Sequence, residues 1–306
     1  MYDISAIIIN YNSSKYTIEC IESIINKTNS HINFQIIVVD NCSEIEDYST
    51  LNNYCKDLKF KDLLLIRSKI NTGFGGGNMF GYQFAKSKYI AFVNNDTLFI
   101  NDCFTILKKE IEKDESIAIV GGQSYSQTGV RMIAFDHFAS ITKELFGRDL
   151  LEKINSKKYP NRKNEYYQPL QVNYVQGSFM MIRAEDFDKI GGFDTNIFLY
   201  YEETDLCMRL KKIKKNCYLI PDAKYIHYHG ASTIQSIEIK TELKISLLYI
   251  IRKHYGYFAY WFLLNNLRIN YILSSIFKPK YWYLLKVLLA GAPLSKSLKV
   301  SQKIIE

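Results

Sequence analysis

The sequence predicts an α/β fold built on a mostly parallel sheet flanked by helices, and three observations carry that prediction. Short, unbroken runs rich in Ile, Val and Leu recur through the first 120 residues, as strands buried on both faces require. Segments of helical spacing or polar composition alternate with them. Polar clusters follow the runs, at the edge where open α/β sheets bind ligands.

Taken in order, residues 4–9 form the first apolar run, and Asn10-Tyr11-Asn12-Ser13-Ser14 offers caps for a helix whose Ile18, Ile21 and Ile25 share one face. Residues 34–39 form the second run and close on Asp40-Asn41. A polar helix is expected over about 44–57 and a third strand at 63–66. A glycine-rich loop, residues 71–78, then leads into a helix ending near Lys86. The fourth run, 89–93, ends on Asn94-Asn95-Asp96, and a helix over 102–113 precedes a strand at 117–120. Residues 123–170 are polar and irregular, which predicts a mobile or substrate-facing excursion. Strands are expected at 172–175 and 179–182 around Gly177, then at 218–221 and 225–229.

Charge is uneven. Residues 240–306 hold 11 Lys/Arg against 2 Asp/Glu, whereas residues 1–239 hold 28 against 29. A near-neutral body with a basic but strongly apolar tail argues against nucleic-acid binding. The six cysteines show no CxxC and no metal-type spacing, and read as reduced thiols. With no basic leader and no apolar run of about 18 residues, a cytoplasmic protein is expected.

The stretch 198–209, FLYYEETDLCMR, places Glu202, Glu203 and Asp205 in a first helical turn. Acids there favour the helix dipole, and Asp205 is placed to pair with Arg209 at i,i+4. Such a cluster also marks functional carboxylates. The glycine loop fails the dinucleotide pattern, because G-x-G-x-x-G meets Asn78 from Gly73 and Phe80 from Gly75. It reads either as a turn needing positive φ or as backbone amides brought close to a phosphate or sugar. Asp96 is either a turn residue or an oxygen ligand for a hard cation. His227 and His229 share one strand face, as surface residues or as divalent-metal ligands.

Eight motifs then stand in order: INYN (9–12), VVDNCS (38–43), NTGFGGGNMFG (71–81), VNNDT (93–97), VQGSFMMIR (175–183), GGFD (191–194), FLYYEETDLCMRL (198–210) and HYHGAS (227–232). Together they resemble family 2 glycosyltransferases of the GT-A fold, especially a bacterial rhamnosyltransferase-like group, over about residues 3–233. The resemblance implies that Tyr11 and Asp40, with Asn10 and Asn12, hold the nucleotide base of the donor. It implies that Asn71, Gly73 and Asn78 lie near its ribose and sugar, with Asn95 also on the donor side. It makes Asp96 the last residue of a DxD-like motif that binds a divalent cation, Mg2+ or Mn2+, with His227 reaching the same ion. It makes Glu203 the catalytic base, supported by Glu202, Asp205 and Gly177. Asn94-Asn95-Asp96 departs from a strict DxD, and Glu203 stands where Asp is common.

The implied reaction is an inverting transfer of a sugar, with dTDP-rhamnose the first choice of donor and another nucleotide hexose such as a UDP-sugar the alternative. The implied acceptor is a cell-surface polysaccharide of O-antigen or capsule type, carried on a lipid. Expected domains are a catalytic unit over 1–239, divided into a nucleotide-sugar half (1–122) and an acceptor half (123–239), and a helical extension over 240–306. Trp261, Trp282, the tyrosines and the lysines of that extension suit the inner face of the cell membrane; packing on the catalytic unit or in a homodimer suits them equally. Two readings of other classes compete. A sugar nucleotidylyltransferase would carry a glycine-rich, lysine-bearing loop after the first strand, where Asn10-Tyr11-Asn12 stands. A non-catalytic scaffold would not need Asp96, Glu203 and His227.

Overall fold

The structure, a computed structural model, describes residues 1–228 and 236–305. Its first half alternates strands and helices: β1 (Tyr2–Asn10), α1 (Ser14–Lys27), β2 (Phe34–Asp40), α2 (Ile45–Asp57), β3 (Leu63–Arg67), α3 (Gly73–Tyr82) and β4 (Ser87–Asn94). These four strands pair in parallel in the order β3-β2-β1-β4, so their carboxyl ends share one edge. Next come β5 (Thr97–Phe99), α4 (Cys103–Ile111), β6 (Ile117–Tyr125), β7 (Phe135–Asp136), α5 (Ile141–Phe146) and α6 (Arg148–Ile154). They are followed by β8 (Leu170–Val172), β9 (Tyr174–Val175), β10 (Phe179–Arg183), α7 (Ala184–Lys189), α8 (Glu202–Lys212) and β11 (Asn216–His227).

The main sheet continues β4-β10-β6-β11-β5, and β10 runs antiparallel to both of its neighbours. The sheet is thus parallel in one half and mixed in the other. Alternate residues of each strand face opposite sides, as the pleat demands. Ile8 and Val38 pack under α1 and α4, while Ile7, Ile37 and Val39 join Phe92, Phe187 and Leu206 on the other face. Both faces are therefore buried, which is why the strands read as unbroken apolar runs.

Two further helices, α9 (Ile237–Phe277) and α10 (Trp282–Leu289), close the chain. At Gly256, with φ 85° and extended ψ, α9 breaks into two limbs. Ile245, Leu248, Leu264, Leu284 and Leu288 form a core that also takes in Ala139 and Ile197. The helical extension therefore packs onto the body of the protein. It still exposes Phe258 (86 %), Phe277 (82 %), Trp261 and Trp282. No helix among the described residues is long and apolar enough to cross a membrane.

Four sequence expectations change. The glycines at 73–77 belong to α3 itself rather than to a loop before it, and that helix ends at Tyr82 instead of near Lys86. The 123–170 excursion contains β7, α5 and α6, built around a buried ion cluster. The runs at 218–221 and 225–227 are one strand, β11, whose register shift between Ile220 and Lys224 accommodates Pro221. Val172 and Val175 fall in separate short strands, β8 and β9. His229 and the HGAS part of its motif lie outside the described residues.

Candidate active site

The ends of β1, β2 and β4 meet at one edge, where Asn10 pairs in register with Asp40, and Ile9 with Asn94. Asn10 is fully buried. Its amide donates to Asp40 Oδ1 (3.0 Å), Ser43 Oγ (3.1 Å) and Asp47 Oδ2 (2.8 Å), and its own oxygen accepts from Thr17. Asp40, equally buried, also takes the Ser43 amide and lies 3.2 Å from Arg67 Nε. Asn12 Oδ1 accepts from the Glu44 amide, and Asn95 Nδ2 donates to Ser13 Oγ and Thr17 Oγ1. The side chains of Asn10, Asn12, Asp40 and Asn95 thus bond within the protein and shape the loops after β1, β2 and β4.

Those loops surround a cavity of about 460 Å³ lined by Tyr11, Asn41, Asn71, Gly73, Asn78, Asn94 and Asn95. Tyr11 stands 42 % exposed on its rim. Asn41 closes the second apolar run and belongs to the 38–43 motif, but carries no ligand role there. Its amide nitrogen donates to Asn71 Oδ1 (3.0 Å) and the Gly73 carbonyl (3.1 Å), and its oxygen accepts from the Thr72 amide (3.1 Å), so it fastens α3 to β2. Gly73 has φ +73°, and a Cβ there would stand 2.0 Å from the Phe198 carbonyl oxygen. The Phe74 amide donates to that same oxygen (3.1 Å). The glycine segment is therefore seated directly on the start of the carboxylate stretch.

Tyr200 and Tyr201 both adopt left-handed backbone, φ 72° and 71°, before α8 begins at Glu202. Such conformations cost on the order of 1–3 kcal/mol each, and the strain turns the chain so that the first turn of α8 faces the sheet edge. Glu203 Oε1 accepts a hydrogen bond from the Gly177 amide at 2.9 Å. Burial raises the Glu203 pKa, partly offset by backbone bonds including that one. Glu202 is 3 % exposed, and its Oε1 has no donor among the described residues. Burial, then the Glu203 charge, pushes its pKa well above the ordinary carboxylate range.

Asp205 is committed elsewhere. It accepts from His254 Nε2 (2.8 Å) and Arg209 Nε (2.8 Å), and pairs with Lys253 Nζ (2.7 Å). Burial alone would raise its carboxyl, but these bonds outweigh it and hold the pKa at about 2. The expected pair with Arg209 is present, and the cluster bolts α8 to α9.

A second cavity, of about 440 Å³, is lined by Glu202, Glu203, Gly177 and His227. It shares Phe74, Asn94 and Leu199 with the first, so the two are contiguous. Its far wall is Asp136, Lys143, Arg148 and Tyr174, none singled out in the sequence. Arg148 grips Asp136 through Nε (2.9 Å) and Nη2 (2.7 Å), and Lys143 Nζ adds a bond at 3.3 Å. Burial would raise the Asp136 carboxyl, yet Arg148 and Lys143 hold it near 2. The available signal was a charged Asp136-His137 pair inside the apolar run 132–139.

β11 pairs antiparallel with β5, setting His227 opposite Thr97 and next to Asp96. His227 Nε2 approaches Asp96 Oδ1 to 3.1 Å, and among the described residues no hydrogen bond is donated to that buried oxygen. A carboxylate oxygen and an imidazole nitrogen facing one another fit a shared divalent cation. No group of three or more His, Cys, Asp or Glu among the described residues could hold a metal alone. The remaining ligands would come from the bound donor and water, which is how Mg2+ is usually held at phosphate sites.

A family model described as glycosyl transferase family 2 matches residues 5–191, more than half the chain. The chain belongs to glycosyl transferase family 2. It is 28 % identical to the rhamnosyltransferase WbbL of Escherichia coli K12 over 283 residues, 89 % of this chain and 98 % of that protein. Its fold matches GalNAc-T7, solved with UDP, GalNAc and Mn2+, at TM-score 0.60 and 13 % identity. That match covers 81 % of this chain but 48 % of the larger one, so the chain spans about half its length. It also matches the mannosyltransferase PcManGT of Pyrobaculum calidifontis, solved with GDP-Man and Mn2+, at TM-score 0.57 and 11 % identity, over 97 % of this chain and 89 % of that one. These likenesses show the GT-A fold. The protein is a rhamnosyltransferase-like member of the family, and the nucleotidylyltransferase and scaffold readings fall away.

Proposed function

We propose that this glycosyltransferase performs a metal-assisted inverting transfer from a nucleoside-diphosphate sugar, with Glu203 as base. One observation carries the reading: the Glu203 cavity opens into the strand-edge cavity at Asn94, beside Asp96 and His227. A donor lying along the strand edge would present its anomeric carbon at that junction. Glu203 takes the proton of the acceptor hydroxyl, whose oxygen bonds to the anomeric carbon as the bond to the diphosphate breaks. The Gly177 amide holds the Glu203 carboxylate in place through Oε1. A cation on Asp96 and His227, when bound, would offset charge on the departing diphosphate. Mn2+ suits a carboxylate–imidazole pair better than Mg2+ does.

Rhamnose from dTDP-rhamnose is the proposed donor, supported by the similarity to WbbL along nearly the whole chain. A UDP-hexose is the second choice. The proposed acceptor is a lipid-carried surface glycan, and the exposed aromatics of α9 and α10 with Lys278, Lys280 and Lys286 suit docking on the cytoplasmic membrane face. A second protomer is the competing occupant of that face. The proposed domain boundary near 239 falls in the first turn of α9.

A panel of nucleotide sugars scored for metal-dependent hydrolysis or thermal stabilisation tests the donor. The reading requires dTDP-rhamnose to lead that panel; a UDP-hexose in the lead selects the alternative, and no response to any of them contradicts the donor site.

A further inference from the structure

The last described residues of the chain return to the sheet edge. Ser297 Oγ and the Leu298 amide both donate to the buried carboxylate of Glu242 on α9, at 2.8 Å each. At the other end Ile304 bridges Ile70 in antiparallel fashion, and the Ile305 amide donates to the Lys69 carbonyl (2.8 Å). The segment 298–305 is thus a strap fixed at both ends, and between its anchors it lies over the strand-edge cavity.

The strap does more than cover. Leu298 and Gln302 line the strand-edge cavity itself. Gln302 also lines an adjoining cavity beside Arg67 and Glu44, so it stands with Tyr11 and Asn71 where the two meet. One hydrogen of its amide is used on the Leu298 carbonyl (2.9 Å), which fixes the side chain. Among the described residues no donor reaches its Oε1. A pinned amide with a spare donor and a spare acceptor is the chemistry that reads the edge of a nucleobase.

Position says which part of a donor meets it. The strand-edge cavity joins the Glu203 cavity through Phe74, Asn94 and Leu199, so that end takes the diphosphate and sugar. Tyr11 and Gln302 stand at the mouth shared with the other adjoining cavity, where the base of a nucleoside diphosphate would lie. We propose that the strap 298–305 is a working wall of the donor site and that Gln302 is a determinant of nucleobase specificity. This rests on the donor-site reading above.

The test is a calorimetric panel of UDP, dTDP, GDP, ADP and inorganic pyrophosphate, each with Mn2+, on the full chain, on Gln302→Ala, and on a chain ending at Ser301. The full chain should discriminate among the bases at least tenfold. Gln302→Ala should reduce that ratio at least fivefold while its pyrophosphate affinity stays within twofold. The shortened chain, which also loses the bridge to Ile70, should lose the ratio altogether. Unchanged base preference in both variants overturns the inference, as does tighter binding of every ligand by the shortened chain, which would make the strap a plug. Failure of the full chain to bind any nucleoside diphosphate overturns the donor-site reading itself, and this inference with it.

Discussion

The Gly177 amide and Glu203 Oε1 lie 2.9 Å apart, and a Cβ added at Gly177 would stand 2.2 Å from that same oxygen. The glycine therefore both holds the proposed base and leaves it room. Gly177→Ala should displace the carboxylate by about an ångström and lower kcat roughly a hundredfold, the usual cost of such a misplacement. Thermal stability should change little. Steady-state kinetics with a melting curve checks this.

Removing the proposed metal pair should act through the ion. Asp96→Ala should lower activity roughly a hundredfold or more, the scale of several kcal/mol of lost charge stabilisation. His227→Ala should raise the Mn2+ concentration giving half-maximal rate while sparing more of kcat. Because Asp96 and His227 are two ligands and no larger group stands among the described residues, Mn2+ should bind at least tenfold tighter with a nucleoside diphosphate present than alone. Titrations with and without nucleotide measure that ratio.

The pH profile carries a sign. Burial raises the Glu203 pKa, and a base must be ionised to act, so activity falls as pH drops through that raised value. The acid limb of kcat/KM should therefore lie above the ordinary glutamate value of 4.5. Glu202→Gln removes the second buried carboxyl and should leave the limb in place where Glu203 alone sets it. A limb that moves in that variant would show the two carboxyls sharing their charge differently.

Asp205 gives a stability prediction. Its pKa is depressed from 3.8 to about 2, so it contributes roughly 2 to 3 kcal/mol, present above pH 4 and lost as pH falls through the folded value. Asp205→Asn should remove at least that much at pH 7, because His254, Arg209 and Lys253 are left without their shared anion. The loss should shrink toward pH 2. Denaturant melts at both pH values test it.

The parallel half of the fold was legible because β1, β2 and β4 are buried on both faces and each leaves its own apolar run, while the edge strand β3 keeps one of leucines and isoleucine. The polar residues of the strand edge were legible for the same reason: Asn10, Asp40 and Asn94 each interrupt such a run. Their roles were less so. Asn10 and Asp40 also bond to Ser43, Asp47 and Arg67, partners that only the packed loops reveal. Asp205 read as a helper of Glu203, but helical periodicity sends it toward α9, and α9 has no local signal for that contact. Arg148, Lys143 and the strap at Gln302 reach the site through tertiary packing alone. Positive φ at Tyr200 and Tyr201 was hidden as well, since tyrosine is not a residue from which left-handed backbone is inferred.

The central claim is that Glu203 acts on the acceptor proton and not on donor binding. Glu203→Gln, assayed for sugar transfer and for nucleoside-diphosphate affinity in the same preparation, tests it most directly. Transfer should fall roughly a hundred- to ten-thousand-fold while the affinity stays within about threefold. Parallel loss of both, or transfer left near the original rate, would contradict it.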